Sequence, residues 1–158
     1  MSQTGCPWFS TPERLARLAA EALLWQGTPF FPNSSTPGPR GGVSCHKLVA
    51  ALYRGAGFCD VDVPDVPMSH ARFCGTSLVE EFMAGRPEFQ RFTIANAATV
   101  QPGDLLGFRL HRSVHHLGVC VWPGVFVHAI EHLGTTQSAL ADPTWGKRLA
   151  ALWRPIEP

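Results

Sequence analysis

The sequence is short of charge. Asp, Glu, Lys and Arg make up 16% of its 158 residues and leave a formal net charge of +1. That balance gives no electrostatic attraction for nucleic acid or for an anionic membrane surface, and neither is expected as a partner. No apolar run is long enough to cross a bilayer. The first residues, Met1-Ser2-Gln3-Thr4-Gly5-Cys6-Pro7-Trp8, lack the basic and apolar regions of a signal peptide, so the chain is expected to be cytoplasmic as synthesised. No CxxC pair occurs among the five cysteines, Cys6, Cys45, Cys59, Cys74 and Cys120. An odd number of unclustered cysteines argues against a disulfide framework and for reduced thiols.

What is present fits one globular domain over residues 1–158, 45% hydrophobic and rich in turns, with Gly 15 and Pro 14. Thr11 is placed to cap a first helix, with Pro12 at its first position and Glu13 in its first turn. Leu15, Leu18, Ala22 and Trp25 recur at helical spacing, and Gly27 ends the pattern. A long loop rich in Pro, Ser and Gly follows, from Thr28 to Gly42, and loops of that length are often functional. A second helix is predicted from Cys45 to about Ala56, with Cys45, Leu48, Val49, Leu52 and Ala56 on one face. Asp60 to Pro67 reads as a Pro-punctuated connector, and Ser69 to Ala84 as helical, with Phe73, Leu78, Phe82 and Met83 as its apolar positions.

The last third turns to short β runs, over 104–110, 114–122, 125–130 and 150–154. Helices first and antiparallel strands after predict an α+β domain, its helices packed on one sheet.

Cys45 stands out chemically. Gly41-Gly42-Val43-Ser44 leads into it, so it falls on the first turn of a helix capped by Ser44. Unpaired backbone N–H groups and the positive end of the helix dipole there favour a thiolate. A nucleophile also needs a base, and three of the seven histidines, His115, His116 and His128, lie on the predicted hairpin. Strand parity places His116 with Gly118 and Cys120 on one face. His115 falls with Leu117, Val119 and Val121 on the other, which reads as the core side.

A two-residue turn at Pro123-Gly124 would send His116 and His128 to opposite faces. A three-residue loop pairing Val121 with Val125 sets His128 diagonal to His116 across Gly118, and this register is the one expected. Cys45 is then the nucleophile, His116 the base that later protonates the leaving amine, and His128 the group that orients His116. The Cys45 N–H would donate to the developing oxyanion.

With these residues in place, the sequence resembles the NlpC-type cysteine peptidases, a papain-like group that cuts bacterial cell-wall peptides. Gly27-Thr28-Pro29-Phe30 resembles the family's Gly-Thr-Pro-Tyr, and Cys45 with Leu48-Val49 its Asp-Cys-Ser-Gly-Leu-Val. Pro102-Gly103-Asp104-Leu105, His116-Leu117-Gly118-Val119 and Phe126-Val127-His128-Ala129 resemble three further motifs in the same order.

The resemblance implies a papain-like NlpC-type domain with N-terminal helices on a central antiparallel sheet. It implies a hydrolase that cleaves an amide bond in a peptide or muropeptide by a Cys-His-His triad and a thioester. No cofactor or metal is expected, and the chain is expected to be a monomer. The residues around the nucleophile depart from the pattern. Phe30, Ser44 and His46 replace the tyrosine, aspartate and serine associated with substrate binding, and Lys47 replaces the glycine that follows. These four positions are therefore the candidate substrate-binding residues, with Lys47 suited to an anionic group.

The ending Trp145 to Pro155 is weakly similar to phage-tail-associated members. Phage-borne delivery or a secretion machine would then be the route to a cell wall. Two rival readings follow from the same residues: an inactive or differently specific binding domain of this fold, and a zinc protein using His111, His115, His116, Cys120 and His128.

Overall fold

A computed structural model of the chain describes residues 5–60, 63–64, 67–93 and 99–158. The connector expected over 60–67 lies partly outside these residues. The helix α1 (Pro12–Trp25) is capped as the sequence predicts, the Thr11 hydroxyl accepting from the Arg14 N–H at 3.3 Å. It buries Leu18, Ala22 and Trp25.

The following loop holds a two-stranded ribbon, β1 (Ser35–Thr36) against β2 (Gly42–Val43). The Thr28 hydroxyl accepts from the Gly38 N–H at 2.9 Å, and the Val43 N–H bonds the Pro29 carbonyl. The loop is thus folded onto the entrance of the next helix. That helix, α2 (Cys45–Gly55), is capped by Ser44, whose hydroxyl accepts from the Lys47 N–H. It buries Cys45, Leu48, Val49 and Leu52 along one stripe, and Ala56 just beyond its end.

The stretch read as one helix from Ser69 to Ala84 is two, α3 (Met68–Phe73) and α4 (Leu78–Ala84). Ser77 starts the second by capping the Glu80 N–H. Val79 and Met83 of α4 are buried, whereas Phe73 is 76% exposed and takes no part in the core expected of it.

Six antiparallel strands form the main sheet: β3 (Phe89–Phe92), β4 (Leu105–Leu110), β5 (Ser113–Trp122), β6 (Val125–Ile130), β7 (Gly134–Ala139) and β8 (Leu149–Pro155), in the order β3-β8-β4-β5-β6-β7. A short helix, α5 (Pro143–Gly146), joins β7 to β8. Asp104 closes the turn before β4: its carboxylate accepts from the Gln101 N–H and is forked by Arg154.

Both faces of β5 are buried. On one face Leu117, Val119 and Val121 join the main core with Leu18, Trp25, Leu48 and Leu52 from α1 and α2. On the other, Cys120 joins Leu106, Phe108, Phe126 and Leu152 in a smaller core, with half-buried Trp145 packed against it.

The β5–β6 turn differs from the expected three-residue loop. Trp122 pairs with Val125 across Pro123-Gly124, and the register then slips by one residue at Val121, so that Cys120 pairs with Phe126 and Val119 with Val127. Gly124 takes the left-handed backbone, φ 69°, that closes the turn. The bulge restores the parity that a two-residue turn alone would break, so His116 and His128 still share a face.

Candidate active site

The N-terminus of α2 delivers Cys45, and β5 and β6 deliver the two histidines. His116 Nε2 lies 2.8 Å from His128 Nδ1, and both rings are buried. The glycine between them is required sterically. A Cβ on Gly118 would sit 2.9 Å from the Phe126 ring and 3.3 Å from the His128 Cβ.

His128 Nε2 in turn lies 2.8 Å from the Ser138 hydroxyl on β7. One set of tautomers runs through this row: His116 donates from Nε2 to His128 Nδ1, and His128 donates from Nε2 to Ser138 Oγ. Nδ1 of His116 is then left for the Cys45 sulfur, which the His116 side chain hydrogen-bonds.

The electrostatics follow from burial and these neighbours. Burial by itself pushes the Cys45 thiol up. Electrostatic attraction to His46 and hydrogen bonds from His116 and His46 outweigh it, and hold the thiol well below its ordinary range. Burial, reinforced by the charge on His116, lowers His128 to about 3, so His128 stays neutral near pH 7. Cys59 and Cys120 lie in the opposite situation. Burial raises them to about 11 and about 12, which leaves both as inert thiols.

Trp145 closes the far side of the histidine pair. Its ring lies 5.3 Å from that of His116 and 4.6 Å from that of His128, edge-on to the latter. Ser138 and Trp145 were not singled out by the sequence. Ser138 sits in a polar strand without apolar alternation, and only the β6–β7 register carries it to His128. Trp145 comes from a four-residue helix between strands.

The candidate substrate-binding residues are not gathered into one wall. Ser44 is buried and its hydroxyl caps α2. His46 is 2% exposed and donates from Nε2 to the His115 carbonyl at 2.7 Å. Lys47 is half-buried on the first turn of α2. Phe30 pairs in parallel with Val43 and lines an open cleft of about 420 Å³ with Phe31, Pro32, Leu133 and Gly134. Cys45 does not line that cleft.

His115 is buried beside His46, and burial lowers it to about 4. His111 and His132 occupy left-handed positions, with φ 56° and 68°. For the zinc reading, no group of three His, Cys, Asp or Glu among the described residues converges to hold a metal ion.

No protein-family profile matches the chain, and no curated protein matches it in sequence. Solved structures do. An NLP/P60-family protein of Staphylococcus aureus, described as similar to a lipoprotein, superposes with a TM-score of 0.65 at 19% identity, covering 100% of this chain and 46% of that one. NlpC1 of Trichomonas vaginalis gives 0.64 at 17% identity, covering 99% and 49%. The NlpC/p60 domain of the peptidoglycan hydrolase SagA gives 0.58 at 16%, covering 90% and 98%. The chain therefore spans under half the length of the first two proteins and almost the whole of the isolated domain. At these identities the likeness is one of fold, and the α+β fold is that of NlpC/P60 domains.

Proposed function

We propose that the chain is a cysteine hydrolase that cleaves an amide bond in a peptidoglycan-derived peptide. The observation that carries this reading is the contact of His116 with both Cys45 and His128. A thiol with a depressed pKa at a helix N-terminus is bonded to one imidazole, and a second, neutral imidazole fixes the first.

In the proposed reaction Cys45 passes its thiol proton to His116, and the resulting thiolate attacks the scissile carbonyl carbon. The C–O π electrons move to oxygen, beside the Cys45 N–H, which has no acceptor within the helix. Collapse of the tetrahedral species expels the amine, which takes its proton from the His116 imidazolium, and leaves a thioester on Cys45. His116, now neutral, removes a proton from water. The hydroxide attacks the thioester, the acid leaves, and the thiolate returns. His128 accepts a hydrogen bond from His116 throughout and stays neutral.

The substrate class rests on the likeness in fold to a domain of a named peptidoglycan hydrolase. The Phe30 cleft and the Lys47 side of α2 are the proposed sources of selectivity. Incubation with purified muropeptides and free stem peptides, followed by mass spectrometry, tests the reading. Cleavage is expected, with Cys45→Ala slowing it by about 1,000-fold or more. Peptides bound but left whole by the wild type would favour the binding-domain reading. Peptides cut equally well by Cys45→Ala would defeat the mechanism.

A further inference from the structure

We propose that His46 is a positioning residue: its hydrogen bond to the His115 carbonyl locks the strand that carries His116 to the helical turn that carries Cys45. The inference rests on the cysteine-hydrolase reading and adds to it a residue outside the triad.

The strand is irregular at this point. Phe108 pairs with His116 but Arg109 pairs with Val114, so His115 is an extra residue, bulged out of the β4–β5 register. A bulge re-aims the side chains that follow it and leaves local carbonyls without regular ladder partners. Two side chains from the helical layer take the carbonyls here. The Ser77 hydroxyl at the head of α4 donates to the Val114 carbonyl at 2.6 Å, and His46 Nε2 donates to the His115 carbonyl at 2.7 Å.

The second bond joins the residue directly after the nucleophile to the residue directly before the base. It spans 69 positions of sequence and is buried. The two rings also meet edge to face, with centroids 5.4 Å apart. Any slip of α2 against β5 would have to break this bond before it separated Cys45 from His116. The His46 side chain also hydrogen-bonds the Cys45 sulfur, so the same residue touches both halves of the junction.

A glutamine at position 46 keeps an N–H that can reach the carbonyl, an asparagine falls short, and an alanine offers none. The experiment measures the alkylation rate of Cys45 by iodoacetamide near neutral pH, with each variant's melting temperature recorded beside it. All three variants lose the direct effect of the His46 ring on Cys45, but His46→Gln, which keeps the bond to the His115 carbonyl, is expected to react about tenfold faster than His46→Ala and His46→Asn, in line with one buried hydrogen bond. In a His116→Ala background the advantage of His46→Gln over His46→Ala is expected to vanish, because the clamp acts through His116.

If His46→Ala does not fold, the contrast between His46→Gln and His46→Asn carries the same comparison. A His46→Gln protein as slow as His46→Ala or His46→Asn would overturn the clamp. So would the same gap between His46→Gln and His46→Ala persisting in the His116→Ala background, or His46→Ala and His46→Asn proteins as fast as wild type. Each of these leaves a reactive Cys45, and so the hydrolase reading, intact. A wild-type Cys45 that reacts no faster than the other thiols overturns that reading and, with it, the clamp.

Discussion

On the helical side of β5, burial is apolar: Leu117 and Val119 meet Leu48, Leu52 and Trp25 in the main core. One residue along the strand, on the other side, burial encloses His116, His128 and Cys120 among Phe108, Phe126 and Trp145. The first face gains from removing hydrocarbon from water, and its residues are interchangeable in kind. The second holds imidazoles that must each be hydrogen-bonded or kept neutral, and it meets that need with the row from His116 through His128 to Ser138. The same strand thus holds the fold together on one side and orients the chemistry on the other.

Substitutions can separate the two faces. Leu117→Ala is expected to cost about 2–5 kcal/mol of unfolding free energy in urea melts, as large-to-small changes in a packed core do. The iodoacetamide reactivity of Cys45 should survive that change. His128→Ala should do the reverse. It is expected to lower peptide hydrolysis by about 100-fold, since it removes the group that orients the base, with a smaller effect on the urea midpoint. Equal losses of stability in the two variants would erase the distinction.

A smaller effect sharpens the same contrast through pH. His128 and His115 are depressed to about 3 and about 4, from 6.5 when unfolded. Above pH 6.5 both are neutral folded and unfolded, and their contribution to stability is fully present. As pH falls from 6.5 towards these folded values, the unfolded chain takes up protons that the native chain refuses, so stability falls. The slope for His128 is at most about 1.4 kcal/mol per pH unit. Urea midpoints at pH 7.5 and pH 5 should therefore drop further for wild type than for His128→Ala. An equal drop in both would show that His128 is not held neutral by the fold.

The sequence made some parts of this legible and hid others for physical reasons. The helices α1 and α2 announce themselves by Thr11 and Ser44 caps and by apolar residues at helical spacing. The β5–β6 hairpin is visible in its alternation. The edge strands β3 and β7 are not legible in the sequence. An edge strand is paired on one side only, and β7 reads Gly-Thr-Thr-Gln-Ser-Ala, with little apolar pattern. The break at Ser77 is hidden in the sequence, because Leu78, Phe82 and Met83 continue a plausible helical stripe.

At the site, Cys45, His116 and His128 were singled out as candidates, and they do come together. His116 and His128 share the face that strand parity predicts, through a tighter turn and a bulge at Val121 rather than a three-residue loop. The bulge at His115 leaves no mark in residue type, so nothing in the sequence reveals the bond from His46 to the backbone of β5.

The central claim is that Cys45 is an activated thiol. Brief iodoacetamide treatment of the native protein at about pH 6, followed by mass mapping of its cysteines, tests it most directly. Cys45 is 6% exposed, while Cys6 and Cys74 lie on the surface. The account predicts that buried Cys45 is nonetheless alkylated first, with Cys59 and Cys120 unmodified. Modification of Cys6 and Cys74 ahead of a Cys45 that reacts only after unfolding would contradict it.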